Sequence, residues 1–403
     1  MHELSLAEGI VSVVEDAALH QCRLSLPVAA PARVLAFGAW LKNTAGLLDG
    51  AQFIGSALHG DLDTPEACAA LDASVETLVA AASGPVDAVA HDLHPDFYST
   101  RLAQAWAERL GVPAIAVQHH HAHLAVVQAE QGWPASARHA TPAASRSNHP
   151  PMLGLALDGV GLGTDGTAWG GELLLVRGSD FERLGHLPAL ALPGGDVAAR
   201  EPWRMAAAVL QLLGRHDEIE TRFAPLVRPQ AARIVATLLA RGLNCPVTTS
   251  AGRWFDAAAG VLGLSVRQSE EAEAAQALER AATAWLVDHP DFDAPYDSLD
   301  LRPLFTELLA LDPLDPTQQG EGAARFHLAL AHGLAATTIR IAATHGIQDV
   351  VLGGGCFFNR LLSERLTHEL QTAGLKVQRP HAVNCGDAGL ALGQAWVGAL
   401  CIG

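Results

Sequence analysis

Four histidines fall within five positions, at His119, His120, His121 and His123. They close the stretch that begins with the apolar run Ala114 to Val117. Neutral imidazole nitrogens ligate several divalent metals. If a helix starts at the strand end, His119 and His123 share one face at i, i+4 and reach a single ion together. His120 and His121 then point elsewhere. A solvated histidine run is the alternative. HHHAH lacks the Glu of H-E-x-x-H, which counts against a zincin protease.

Three further stretches carry chemistry. Asp158 ends a buried run and opens DGVGLGTDGTAWGG, where small residues let backbone N–H groups turn toward phosphate oxygens. A tight hairpin is the competing reading. GGGCFFN, from Gly353 to Asn359, is a second glycine-rich strand-to-helix turn. It offers either a nucleotide contact or plain helix entry. NCGD ends at Asp387, an N-cap or an anionic ligand beside the two histidines. Cys356 and Cys385 read as small packed residues, since nothing in the sequence supplies a base or a lowered thiol pKa.

These residues need elements to bring them together. Apolar spacing predicts a short amphipathic helix from His2 to about Gln21. Strand-like runs follow at Val34–Gly38 and 52–58, then a helix over 65–82. The strand VDAVAHDL, a helix over 99–111 and the strand PAIAVQ complete the first half. Residues 133–151 read as a linker. The pattern then restarts with MLGLALDG and GGELLLVRG, runs mostly helical from 202 to 345, and returns to α/β at the end. Three segments result: 1–30 helical, 31–150 a first lobe, and 151–403 a second lobe with a helical insertion. The layout predicts an α/β fold with a ligand cleft between two lobes, outside the carboxyl ends of strands.

Composition narrows the classes. With 403 residues, 49% hydrophobic and 17% charged, the chain is globular. A net charge of -17 without a Lys/Arg cluster disfavours nucleic acid. The six cysteines are scattered without C-x-x-C, against a zinc ribbon or a disulfide scaffold. No basic leader and no membrane-length apolar run is visible, so a cytoplasmic protein without membrane contact is expected.

In combination, VLAFGAWLKNT, HDLHPDFYSTRLA, VQHHHAHLA, LALDGVGLGTDGTAWGGELL, GRWFDAAAGVLGL, GGGCFFNRLL and GDAGLALGQA occur in an order that resembles the C-terminal carbamoyltransferase domain of the HypF family. HypF proteins serve [NiFe]-hydrogenase maturation and are related to the TsaD/Kae tRNA threonylcarbamoyl transferases. The resemblance runs from about Val34 to the end and implies an actin-like, two-lobed fold. It implies that His119, His123 and Asp387 bind one divalent metal (iron, zinc or magnesium), with Asp158 as ligand or phosphate-positioning group. Asp158, His119 and His123 would be the catalytic set. Lys42, Asn43, Gly159, Gly161, Asp256, Glu271, Gly353, Gly354 and Asn359 would bind ATP or carbamoyl-AMP. Two departures bear on this. EEAEAA stands where the family commonly has Y-E-G-Q-A-A, and GDAG where it has N-D-G-G.

The implied activity is transfer of a carbamoyl group from carbamoyl-adenylate to the C-terminal cysteine of HypE, among other maturation proteins. The acylphosphatase, zinc-finger and YrdC-like parts of full-length HypF have no counterpart in the sequence. The rival functions are a tRNA carbamoyl transferase of TsaD type and a non-catalytic scaffold binding nucleotide or HypE. A metallopeptidase comes third. The first twenty residues resemble the start of HypA, whose second-position histidine binds nickel, which makes His2 a candidate ligand.

Overall fold

The computed structural model describes residues 13–16, 21–133 and 150–403. His2, most of the expected N-terminal helix and most of the expected linker lie outside these residues. Where the N-terminal segment is described it is strand, β1 (Val13–Asp16) and β2 (Gln21–Ser25). Pairing decides this against the helical spacing. β2 adds antiparallel to β5 (Gln52–Gly55), and alternate residues Leu24 and Leu26 are buried.

The first sheet runs in the order β1-β2-β5-β4-β3-β6-β7. Its remaining strands are β3 (Val34–Ala36), β4 (Gly46–Asp49), β6 (Ala88–Asp92) and β7 (Ala114–Val117). Helices α1 (Pro65–Ala80) and α2 (Tyr98–Leu110) cover one face through Leu71, Val75, Leu78 and Trp106. α3 (His119–Gln131) follows β7 directly. The Gln118 side chain accepts the His121 N–H at its start, and Gly132 in the left-handed region ends it.

The second sheet holds β8 (Met152–Leu162), β9 (Ala168–Arg177), β10 (Asp180–His186), β11 (Leu190–Ala191), β12 (Val247–Thr248), β13 (Asp349–Gly353) and β14 (Lys376–Gln378). Its order is β11-β12-β9-β8-β13-β14, with β10 beside β9. Between Leu157 and Gly161 the β8–β9 register shifts, so 158–160 bulge out of the ladder. Helices α4 (Pro202–Leu212), α5 (Glu218–Phe223), α6 (Pro229–Arg241), α7 (Ala251–Val261), α8 (Glu273–Asp288), α9 (Arg302–Leu308), α10 (Pro316–His345) and α11 (Arg360–Thr372) form the helical part. Trp203, Trp254, Phe255 and Phe326 fill its core.

The last helix, α12 (Leu390–Ile402), does not pack with the second sheet, to which its position in the sequence would assign it. Leu390, Leu392, Trp396 and Val397 join Val34, Ala36, Ala88 and Ala90 beneath the first sheet. The chain therefore returns to its first lobe. Gly393 allows α12 to cross α3 closely: a Cβ there would lie 1.9 Å from the Ala122 carbonyl oxygen.

Candidate metal and nucleotide site

Three elements deliver four ligand atoms to one point. His119 and His123 lie at the start of α3, Asp158 sits in the β8 bulge, and Asp387 lies in the turn before α12. Their ligand atoms all fall within 4.8 Å of one another. The two Nε2 atoms are 3.2 Å apart, and Asp158 Oδ2 lies 3.1 Å from His119 and 3.2 Å from His123. Asp387 Oδ1 is 3.5 Å from each Nε2.

Supporting contacts fix these groups. Asp92, the last residue of β6, holds His119 Nδ1 at 2.7 Å, which leaves Nε2 facing the cluster. Asp92 in turn accepts the His94 N–H. The Gly355 N–H donates to Asp158 Oδ1 at 3.1 Å. Burial alone would drive His119 down, but Asp387, Asp92 and Asp158 outweigh it and hold the ring well above its ordinary pKa. His123 is raised for the same reason, against the same burial. At His120 and His121 burial outweighs the nearby acids and lowers both, His121 to about 4. His120 takes Gln118 at 2.9 Å, and His121 packs on Phe181. They belong to the wall and not to the cluster.

The cluster opens on a cleft of about 850 Å³ that both Asp158 and Asp387 line. That volume suits a nucleotide-sized ligand. Among the described residues its lining carries seven carboxylates against two cations, Lys42 and Arg253. Gly159, Asp256, Glu271 and Asn359 line it too. Lys42 reaches across to Glu271 at 2.5 Å. Asp256 lies 2.7 Å from the Arg253 guanidinium, yet burial pushes its pKa up to about 6. Asn359 caps α11 through the Leu362 N–H and meets His327 Nε2 at 2.9 Å.

Four residues expected at the nucleotide do not face the cleft. Asn43 is fully buried, with its amide donated to the Phe37 and Ala39 carbonyls and its oxygen against His59. It ties the turn that presents Lys42. Gly161, Gly353 and Gly354 are close-approach positions: a Cβ on each would meet, respectively, His120 Cε1 at 2.7 Å, the His123 oxygen at 2.9 Å, and the Leu157 oxygen at 2.4 Å. They let α3, β8 and β13 crowd the cluster. Gly355 supplies the N–H instead.

Residues 29–130 match the family described as the HypF Kae1-like domain, and residues 154–394 match the carbamoyltransferase, Kae1-like domain, second subdomain. The chain belongs to the HypF carbamoyltransferase family. A carbamoyltransferase HypF homolog of Cupriavidus necator is 56% identical over 91% of this chain and 92% of its own length. The carbamoyltransferase HypF of Rhodobacter capsulatus is 38% identical over 99% of this chain but only 52% of its own. The chain thus spans about half of that longer relative. The crystal structure of full-length HypF in the phosphate- and nucleotide-bound form superposes with a TM-score of 0.79 at 27% identity, covering 97% of this chain and 50% of that one. The fold is the actin-like, two-lobed α/β fold of HypF.

Sequence reasoning missed two groups in this HypF-type site. Asp92 lies in the quoted stretch HDLHPDFYSTRLA, but its role needs the β6–β7 pairing to become visible. Arg253 lies in GRWFD, three residues before Asp256, a spacing that marks a helical ion pair.

Proposed function

We propose that this chain transfers a carbamoyl group from carbamoyl-adenylate to the C-terminal cysteine thiolate of HypE, in [NiFe]-hydrogenase maturation. One observation carries the reading: the His119–His123–Asp158–Asp387 donor set opens on the floor of a nucleotide-sized cleft. The donor chemistry fits one divalent cation, with two imidazole nitrogens and two carboxylate oxygens converging and no Lys or Arg among them. Bound there, such an ion supplies Lewis-acid polarisation of a phosphate or carbonyl oxygen. Family membership and the nucleotide-bound form of a HypF crystal structure support a nucleotide as ligand.

The chain's own residues then have distinct tasks. Asp256 and Asn359 hold the nucleoside from α7 and the start of α11. Lys42 lies where phosphate charge must be balanced in an acidic cleft. The incoming sulfur forms a bond to the carbamoyl carbon, and the bond from that carbon to the phosphate oxygen breaks, releasing AMP. The two thiols nearest the site do not compete for the group. Burial pushes Cys356 well above its usual range and Cys385 up to about 11, so both stay protonated near neutrality.

Mass spectrometry of HypE after incubation with this chain and carbamoyl-AMP tests the proposal. A carbamoyl adduct on the C-terminal cysteine is expected, and none with His119→Ala. An adduct that survives His119→Ala would remove the cluster from the reaction. No adduct, with carbamoyl-AMP still bound, would favour the scaffold reading.

A further inference from the structure

Asp387 sits in a turn with no sheet strand to hold it, yet it must meet two histidines from another element. The fixing group lies at the far end of the same helix. Glu130 is in the last turn of α3, and its side chain is fully buried. Its Oε2 accepts the His381 N–H at 2.8 Å, and its Oε1 accepts those of Ala382 and Val383 at 3.1 and 3.0 Å. The His381 ring Nδ1 adds a fourth contact at 2.7 Å. Three consecutive backbone N–H groups on one carboxylate form an anion nest, and each such bond is charge-assisted.

Little slack remains between this clamp and Asp387. Asn384 Oδ1 accepts the Gly386 N–H, and the Cys385 carbonyl accepts the Gly354 N–H. Beyond the ligand, the Thr44 hydroxyl donates to the Ala388 carbonyl. A Cβ on Gly389 would lie 2.0 Å from the Asn384 oxygen, so the turn is closed on itself. We infer that Glu130 is a positioning residue for the metal centre: α3 carries two ligands at its start and, through Glu130 at its end, sets the loop that brings Asp387 to them. This rests on the metal site proposed above. A buried carboxylate serving only the core would not need to collect consecutive N–H groups of the loop that leads to a ligand.

The test is Glu130→Gln, which sets an amide donor against the N–H groups, with Ala382→Pro as a second variant that removes one donor and leaves the carboxylate. Leu239→Ala, a core truncation in α6, controls for general loss of stability. Zinc affinity is measured by chelator competition, and amide exchange across 381–389 by mass spectrometry on the metal-free protein. Glu130→Gln should bind zinc at least about tenfold more weakly, within the range for residues supporting ligands, and exchange these amides faster. Ala382→Pro should move the same way, while Leu239→Ala stays within about twofold of the parent. Unchanged zinc affinity in Glu130→Gln, or an equal loss in Leu239→Ala, would overturn the inference. If the parent chain takes up no zinc while Glu130→Gln still frees 386–389 to exchange, the metal reading fails and the clamp stands; unchanged exchange there removes the clamp.

Discussion

Asp92 and Asp256 are both buried carboxylates, and they act in opposite senses. Asp92 fixes His119 through Nδ1 at 2.7 Å. Asp92→Asn should therefore weaken metal binding by about 10–100-fold, the usual effect of losing an orienting carboxylate, as read by chelator competition. A variant that binds as tightly as the parent would deny Asp92 that role. Asp256 has a poorer bargain: burial pushes it up to about 6 even beside Arg253. Between about pH 4 and 6 the folded chain keeps a proton that the unfolded chain has lost, so stability falls as pH rises through that window. Asp256→Asn removes this dependence. Relative to the parent it should gain about 2 kcal/mol between pH 4 and pH 7 in urea unfolding. A pH-independent difference between the two would refute the assignment. At this scale the sequence exposed what periodicity can carry. His119 and His123 were legible because i, i+4 shares a face, whereas Asp158 and Asp387 were open between ligand and ordinary turn or cap until the resemblance tied them to the histidines. Asp92 stayed hidden because nothing local links it to a histidine 27 positions away.

The β8 bulge is the element on which the site depends, since it lifts Asp158 out of the ladder while Leu157 and Gly161 remain paired. Its glycines serve different ends. A Cβ on Gly161 would lie 2.7 Å from His120 Cε1 and 2.8 Å from His119 Cβ, whereas one on Gly159 meets nothing within 4 Å. Gly161→Ala should cost about 1–3 kcal/mol, as overpacking does, and weaken metal binding with it. Gly159→Ala should stay within about 0.5 kcal/mol, as changes into open space do, but crowd the nucleotide. Urea unfolding and AMP titration separate the two, and similar stability losses would mean the bulge is looser than drawn. The sequence showed a glycine-rich turn without saying which glycine did what, because that depends on the neighbouring helix. Helices and buried strands were legible from period. The N-terminal segment was not, because β2 owes its state to β5, 27 or more residues ahead.

At the scale of the molecule, the two lobes are joined differently on their two sides. On one side α3 bridges them: Ala122 and Val126 pack with Leu392 and Trp396 of α12 beneath the first sheet, where the two helices cross at Gly393, and Leu124 and Val127 pack with Met152, Ala156 and Val351 of the second. Each large apolar side chain so buried contributes about 1.5–3 kcal/mol. This crossing was not legible from order along the chain, since the last helix returns to the first sheet only in three dimensions. On the other side Lys42 meets Glu271 across the cleft, with both side chains 50% exposed. An exposed pair of this kind is worth about 0–1 kcal/mol. The apolar packing on α3 is therefore the stronger junction and the Lys42–Glu271 pair the weaker one, at the mouth of the cleft. Backbone geometry marks the same place: Lys42 and Ala272, the neighbour of Glu271, both adopt positive φ without being glycine. Such conformations are held by surrounding structure and cluster at switching sites. Lys42→Ala and Glu271→Gln should each change unfolding free energy by less than about 1 kcal/mol. Each should also broaden the distribution of lobe separation, read by energy transfer between dyes on α2 and α6. High salt should broaden the parent in the same direction, since it screens exposed charges. An unchanged distribution in both variants would mean that the Lys42–Glu271 pair does not hold the lobes together.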